Sequence, residues 1–105
     1  FRQNETISNI LTFGTLEIDL NQYKVSVNQE EVDLSPREFK LLNYLIENIE
    51  KTVTRIQILN AVWGITFDNH TNVVDVYISY LRNKIEKNNC KYIYTVKGVG
   101  YMFKA

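Results

Sequence analysis

The sequence predicts an α+β fold: an N-terminal antiparallel β-meander, three helices and a C-terminal β-hairpin. Three observations predict it. Hydrophobicity alternates with period two from Ile10 to Leu34, a helical period takes over after a capping signal at Ser35, and short strand-like runs return on both sides of a Gly-x-Gly near the C-terminus.

The meander reads as "ILTF", then "LEIDL" with Leu16, Ile18 and Leu20 alternating against Glu17 and Asp19, then "YKVSV" with Tyr23, Val25 and Val27 on one side. "NQEE" turns the chain into a short "EVDL". In "SPREF", Ser35 is the N-cap, Pro36 takes the first helical position and Glu38 stands three residues after the cap, forming a capping box. Helix one then runs from about Pro36 to Asn48, with Phe39, Leu42, Leu45, Ile46 and Ile49 on its apolar face. Helix two repeats the device: Thr54 caps, Gln57 follows three residues later, Ile56, Leu59, Val62 and Trp63 make the apolar side, and Gly64 stops it. The preceding "KTVT" adds one more bridge to the sheet, and "GITFDNH" is a loop.

Helix three, from about Asn72 to Lys87, is the longest. At about 100° per residue, Val74, Tyr77, Ile78, Leu81 and Ile85 share one buried stripe. Asn72, Asp75, Val76, Ser79, Tyr80, Arg82 and Asn83 take the opposite arc, where an exposed valine and tyrosine are more than a solvated face needs. "NNCK" turns the chain into the hairpin "YIYTV" and "YMFK".

A chain of 105 residues with 45% hydrophobic content holds one core, so residues 10–105 are read as one domain. The polar stretch "FRQNETISN", residues 1–9, reads as the remnant of a linker from a longer protein. No apolar run approaches the ~20 residues that span a bilayer, and no signal-peptide pattern opens the chain, so a soluble, cytoplasmic protein is expected. One Cys and one His cannot form an internal disulfide or a four-ligand zinc site, and no metal or cofactor is expected. The net charge of zero conceals an asymmetry. Residues 1–50 hold four basic and nine acidic groups, while residues 51–105 hold eight basic and three acidic. A basic C-terminal half suits a polyanion, although solvated faces on an ordinary domain give the same count.

"TVKGVGYMF" can open a phosphate-binding loop or close a hairpin. A phosphate loop needs a helix after it, and only Tyr101 to Ala105 follow. Gly98 and Gly100 are therefore read as permitting the positive φ angles of a tight turn. No nucleophile with a base or carboxylate pair stands elsewhere, and no catalytic activity is expected. Strands, two capped helices, a long third helix and a hairpin together describe a winged helix-turn-helix.

Four segments, "LSPREFKLLNYLIEN", "TRIQILNAVWG", "TNVVDVYISYLRNKIE" and "YTVKGVGYMF", resemble in order and spacing the DNA-binding effector domain of the OmpR/PhoB family of two-component response regulators. The resemblance covers about Leu16 to Phe103 and includes the meander. It implies a domain controlling transcription, with its third helix in the DNA major groove and its wing in the minor groove, commonly as two protomers on a direct repeat. It also implies a receiver domain phosphorylated by a sensor histidine kinase, and contact with RNA polymerase through the loop holding Ile65, Thr66, Phe67 and Asp68.

The resemblance places Asn72, Val73, Asp75, Val76, Tyr77, Ser79, Tyr80 and Arg82 of helix three at the DNA. Val76 takes the position of an apolar contact with a thymine methyl, for which an exposed valine is chemically suited. Asp75 can accept from cytosine N4 or serve near the helix start as a cap or dipole partner. Arg82 is read as a phosphate or base contact, against a surface pair with Glu86, and Lys84 and Lys87 as diffuse electrostatics. Trp63 and Tyr101 match positions that touch the phosphate backbone, with core packing left open for both. Thr95 is read as a candidate phosphate contact, and Lys97 stands where many relatives place the arginine that enters the minor groove. His70 reads as phosphate-facing or helix-capping, and Cys90 as an incidental thiol. Many members carry Arg where this chain has Ser79 and Tyr80, so weaker dependence on guanine is expected. The rival reading is a winged helix used for protein contact without DNA.

Overall fold

The computed structural model describes residues 10–65, 71–87 and 90–104; the linker expected at residues 1–9 lies outside them. Two compact units divide between Leu34 and Ser35.

The first unit is a four-stranded antiparallel sheet of β1 (Ile10–Phe13), β2 (Leu16–Asp19), β3 (Lys24–Val27) and β4 (Glu30–Val32), in sequence order. Leu16 pairs with Val27 and Ile18 with Val25, and all four side chains are buried, as the period-two pattern requires. Asn28 and Gln29 both have positive φ in the two-residue loop joining the paired Val27 and Glu30, the requirement of a type I′ hairpin. Tyr23 departs from expectation. The Asp19 carboxylate accepts from the amides of Asn21 and Gln22 and opens a turn; Tyr23 lies in it at φ 56°, exposed, so β3 begins one residue later.

The second unit opens with α1 (Pro36–Glu47). Its capping box is complete: the Glu38 amide donates to Ser35 Oγ at 3.2 Å and the Ser35 amide to Glu38 Oε1 at 2.8 Å. The buried face is Glu38, Leu41, Leu42, Leu45 and Ile46, a run of three- and four-residue steps. Phe39 is half-buried and Ile49 exposed, because the helix stops at Glu47 and Ile49 falls beyond it.

The second helix differs most from its sequence pattern. It starts as an α-helical turn, Arg55–Ile58, capped by Thr54 and Gln57 as expected, then continues as a π-helical turn, Leu59–Trp63; residues 55–63 are α2. Ile58, Leu59 and Val62 are buried, whereas Ile56 is exposed. At about 100° per residue Ile58, Leu59 and Val62 share one arc and Ile56 falls outside it, so the buried side is the one that holds Ile58, not Ile56. Gly64, in the left-handed region, ends the helix.

α3 (Asn72–Ile85) ends two residues earlier than the sequence suggests. Glu86 leaves the helix and its Oε2 accepts the amides of Tyr92, at 2.8 Å, and Ile93, at 2.7 Å. A three-stranded antiparallel sheet then forms in the order β5 (Val53–Thr54), β7 (Gly100–Phe103), β6 (Ile93–Val96). The "KTVT" segment thus bridges to the hairpin sheet, not to the meander. The hairpin turn is closed by the Val99 amide on the Val96 carbonyl, with Gly98 at φ 78°. Gly100 does not share that conformation. It is required for space: a Cβ there would stand 2.0 Å from the Val53 carbonyl oxygen, where β7 crosses β5.

Glu38 is the one buried charged side chain among the described residues, 4% exposed, and it lies on the apolar face of α1. Lys84 Nζ of α3 donates to its Oε1 at 2.7 Å. Burial pushes the Glu38 carboxyl up, but the hydrogen bonds from Lys84 and Ser35, with the Lys84 charge, outweigh it and leave the group below its ordinary value. A depressed folded-state pKa makes a contribution to stability that is complete above the unfolded value, about 4.3, and is lost as pH falls through the folded value. Because the Lys84 side chain is 37% exposed, Glu38→Gln is expected to cost only roughly 1–2 kcal/mol near neutral pH. Urea unfolding of both proteins at neutral pH and near pH 3 checks this: the gap between them narrows in acid.

Candidate nucleic-acid interface

The buried stripe of α3 is Val74, Ile78, Leu81 and Ile85. The opposite side exposes Asn72, Val76, Ser79, Tyr80 and Asn83, with Val73 and Tyr77 half-buried at its margins. Val76, 44% exposed, and Tyr80, 48% exposed, stand one turn apart and form an apolar strip among polar neighbours.

Asp75 ties this helix to two other elements. Its Oδ1 accepts from Arg55 Nε at the start of α2, at 2.8 Å, and from the Tyr101 hydroxyl on β7. One oxygen of the carboxylate expected to accept from cytosine is thus engaged by two protein donors. Burial raises the Tyr101 phenol, and the hydrogen bond and charge of Asp75 raise it further, against a smaller opposing effect of Arg55. Asp75 likewise pushes the Arg55 guanidinium up through a hydrogen bond and its charge. Tyr101 is buried, so of the two roles open to it the structure shows packing, with its hydroxyl turned to Asp75.

Arg82 makes a second tie. One of its terminal nitrogens donates to the Ile93 carbonyl at 3.0 Å and to Thr95 Oγ1 at 2.8 Å, joining α3 to β6. The pair with Glu86 does not form, because that carboxylate holds the Tyr92 and Ile93 amides. Both guanidiniums lie over the Tyr101 ring, Arg55 at 5.9 Å and Arg82 at 5.6 Å from its centroid. Thr95 is exposed, and its hydroxyl, accepting from Arg82, keeps its own proton to donate outward. Lys97 is exposed in the wing turn beside Val99, the latter 48% exposed.

Trp63, half-buried at the end of α2, meets Tyr77 edge-on at 5.2 Å between centroids, and Tyr77 meets Tyr80 at 5.4 Å. An aromatic row therefore runs onto the exposed side of α3. Of the loop residues named above, Ile65 is half-buried, and its amide donates to the Leu59 carbonyl at 3.4 Å. Thr66, Phe67, Asp68 and His70 lie outside the described residues. Among the described residues no group of three or more His, Cys, Asp or Glu side chains can hold a metal.

Two arginines at this surface were not picked out by sequence reasoning. Arg55 is recognisable only through partners 20 and 46 residues away, Asp75 and Tyr101. Arg37 did carry a local signal. It stands in the first turn of α1, where the helix dipole disfavours a cation by about 0.3–1 kcal/mol. Its guanidinium lies 5.4 Å from the Trp63 ring centroid.

The Asp75 joint yields a spectroscopic prediction. In a titration followed by NMR of ¹³C-labelled tyrosine, Tyr101 should ionise above the ordinary phenol range. Asp75→Asn should bring it down, since the negative charge beside the phenol is gone; an unmoved Tyr101 would contradict the joint.

A family model described as "Transcriptional regulatory protein, C terminal" matches residues 29–103. The uncharacterized transcriptional regulatory protein YkoG of Bacillus subtilis (strain 168) is 43% identical over 108 residues, 98% of this chain and 47% of YkoG. The crystal structure of response regulator DrrB, an OmpR/PhoB homologue from Thermotoga maritima, superposes with a TM-score of 0.82 at 36% identity, covering 92% of this chain and 45% of that one. The DNA-binding domain of Klebsiella pneumoniae RstA, crystallised in complex with the RstA box, gives 0.82 at 34% identity over 90% of this chain and 96% of that one. The chain thus spans about half the length of the curated relatives it matches. With the family model spanning both capped helices, α3 and the hairpin, this chain belongs to the OmpR/PhoB-type C-terminal domains of transcriptional regulatory proteins.

Proposed function

We propose that this chain is the sequence-specific DNA-binding domain of a two-component response regulator and controls transcription, with α3 in the major groove and the β6–β7 wing at the minor groove. The observation that carries the reading is the outer side of α3. Val76, Ser79 and Tyr80 project away from a fully buried stripe, on a helix tied by Asp75 and Arg82 to the hairpin. A major groove about 12 Å wide admits such a helix, and a valine on it can meet the thymine C5-methyl. The RstA domain, crystallised on its own DNA box, supports the same use of this fold.

In this reading Lys97 and Thr95 serve the wing, the former by charge in the minor groove and the latter through its outward O–H on a phosphate. Two copies bind a direct repeat in the cytoplasm. A receiver domain in the full-length protein takes a phosphoryl group from a sensor histidine kinase, and the loop containing Ile65, Thr66, Phe67 and Asp68 contacts RNA polymerase.

A salt series tests the DNA reading. Log affinity for duplex DNA should fall linearly with log salt as bound phosphates release counterions; a flat response would favour protein contact alone. A second test concerns base preference. Arg55 and Arg82 are engaged with Asp75, Ile93 and Thr95, and Ser79 and Tyr80 offer no bidentate fork to guanine. Selection from a random DNA pool should return sites with little dependence on guanine, and Tyr80→Arg should shift the selected sequence towards guanine. An identical selected motif for both proteins would defeat this assignment.

A further inference from the structure

We propose that Arg37, at the start of α1, is a DNA-phosphate contact, held for that purpose over the indole of Trp63. The proposal rests on the DNA reading above and adds an element to it, the first helix, that neither the sequence reasoning nor the wing and α3 supply.

Arg37 makes no ion pair among the described residues. The neighbouring carboxylate, Glu38, is turned into the unit, where it holds Lys84 and the Ser35 amide. The charge of Arg37 instead rests 5.4 Å from the centroid of the Trp63 ring, which orders the guanidinium without neutralising it. Trp63 in turn stands edge-on to Tyr77, and Tyr77 to the exposed Tyr80. Three successive contacts, each between 5.2 and 5.4 Å, thus lead from the base-reading side of α3 to a cation without an ion pair among the described residues. Lys40, exposed three residues further along α1, adds charge to the same side of the helix. The other described arginines of this unit, Arg55 and Arg82, already have polar protein partners. Among the described residues Arg37 is the arginine with no polar protein partner, so its whole planar fork is left for a phosphate.

The test compares wild type, Arg37→Gln and Arg37→Lys on two duplexes: one selected by the wild-type chain from a random pool, and one of scrambled sequence. Arg37→Gln should weaken both by roughly three- to tenfold at low salt and reduce the steepness of log affinity against log salt by about 0.9, the loss of one phosphate. Arg37→Lys should restore the steepness. Trp63 is the sole tryptophan, so its fluorescence shows whether the indole has moved in either variant. An unchanged salt slope in Arg37→Gln, even with weakened binding, would mean that Arg37 only props Trp63, and overturns the proposal while leaving the DNA reading standing. A wild-type chain whose binding does not respond to salt overturns both.

Discussion

One oxygen atom, Asp75 Oδ1, governs how α3 is set against α2 and the hairpin. It takes a donor from α2 and another from β7 while belonging to α3, so three elements that share no continuous backbone are pinned at one point. Hydrophobic burial of Val74, Ile78, Leu81 and Ile85 fixes which side of α3 faces inward, but burial is non-directional and leaves sliding and rotation poorly determined. Directional bonds at Asp75, repeated by Arg82 to β6, remove that freedom. The ring of Tyr101 lies against both arginines, so the two ties act on one rigid body.

Charge is allotted along the structural division. Residues up to Leu34 hold two basic and six acidic side chains, and those from Ser35 onward ten basic and six acidic, so the change of sign falls where the two units divide. Within the second unit, carboxylates are placed with economy. Glu38 and Asp75 form ion pairs with Lys84 and Arg55, and Glu86 caps two backbone amides. The remaining cations keep their charge for solvent or a polyanion, which is how a chain of zero net charge presents a basic domain.

Local rules recovered what local forces build. Ser35 with Glu38 and Thr54 with Gln57 form the capping boxes their spacing announces, and the stripe of α3 follows its period apart from the half-buried Tyr77. The misses have physical causes. "RIQILNAVW" carries apolar residues on two overlapping arcs, one with Ile56 and one with Ile58, and only packing against the rest of the unit selects the second. Tyr23 leaves its strand because Asp19, four residues earlier, opens a turn by accepting the amides of Asn21 and Gln22. At the candidate site, the exposed side of α3 was legible from periodicity, whereas the engagement of Asp75, Arg82 and Tyr101 with one another's elements depends on pairings many residues apart.

The contact at Gly100 bears on how such a domain can diverge. The wing is located by backbone against backbone, the Val53 carbonyl beneath a residue that has no side chain. Nothing in that seat involves Lys97, Gly98 or Val99, which extend beyond the paired strands. Drift in sequence at the tip can therefore change the size and charge that the wing presents without disturbing where it is mounted, so the tip can diverge by single substitutions while its seat is kept.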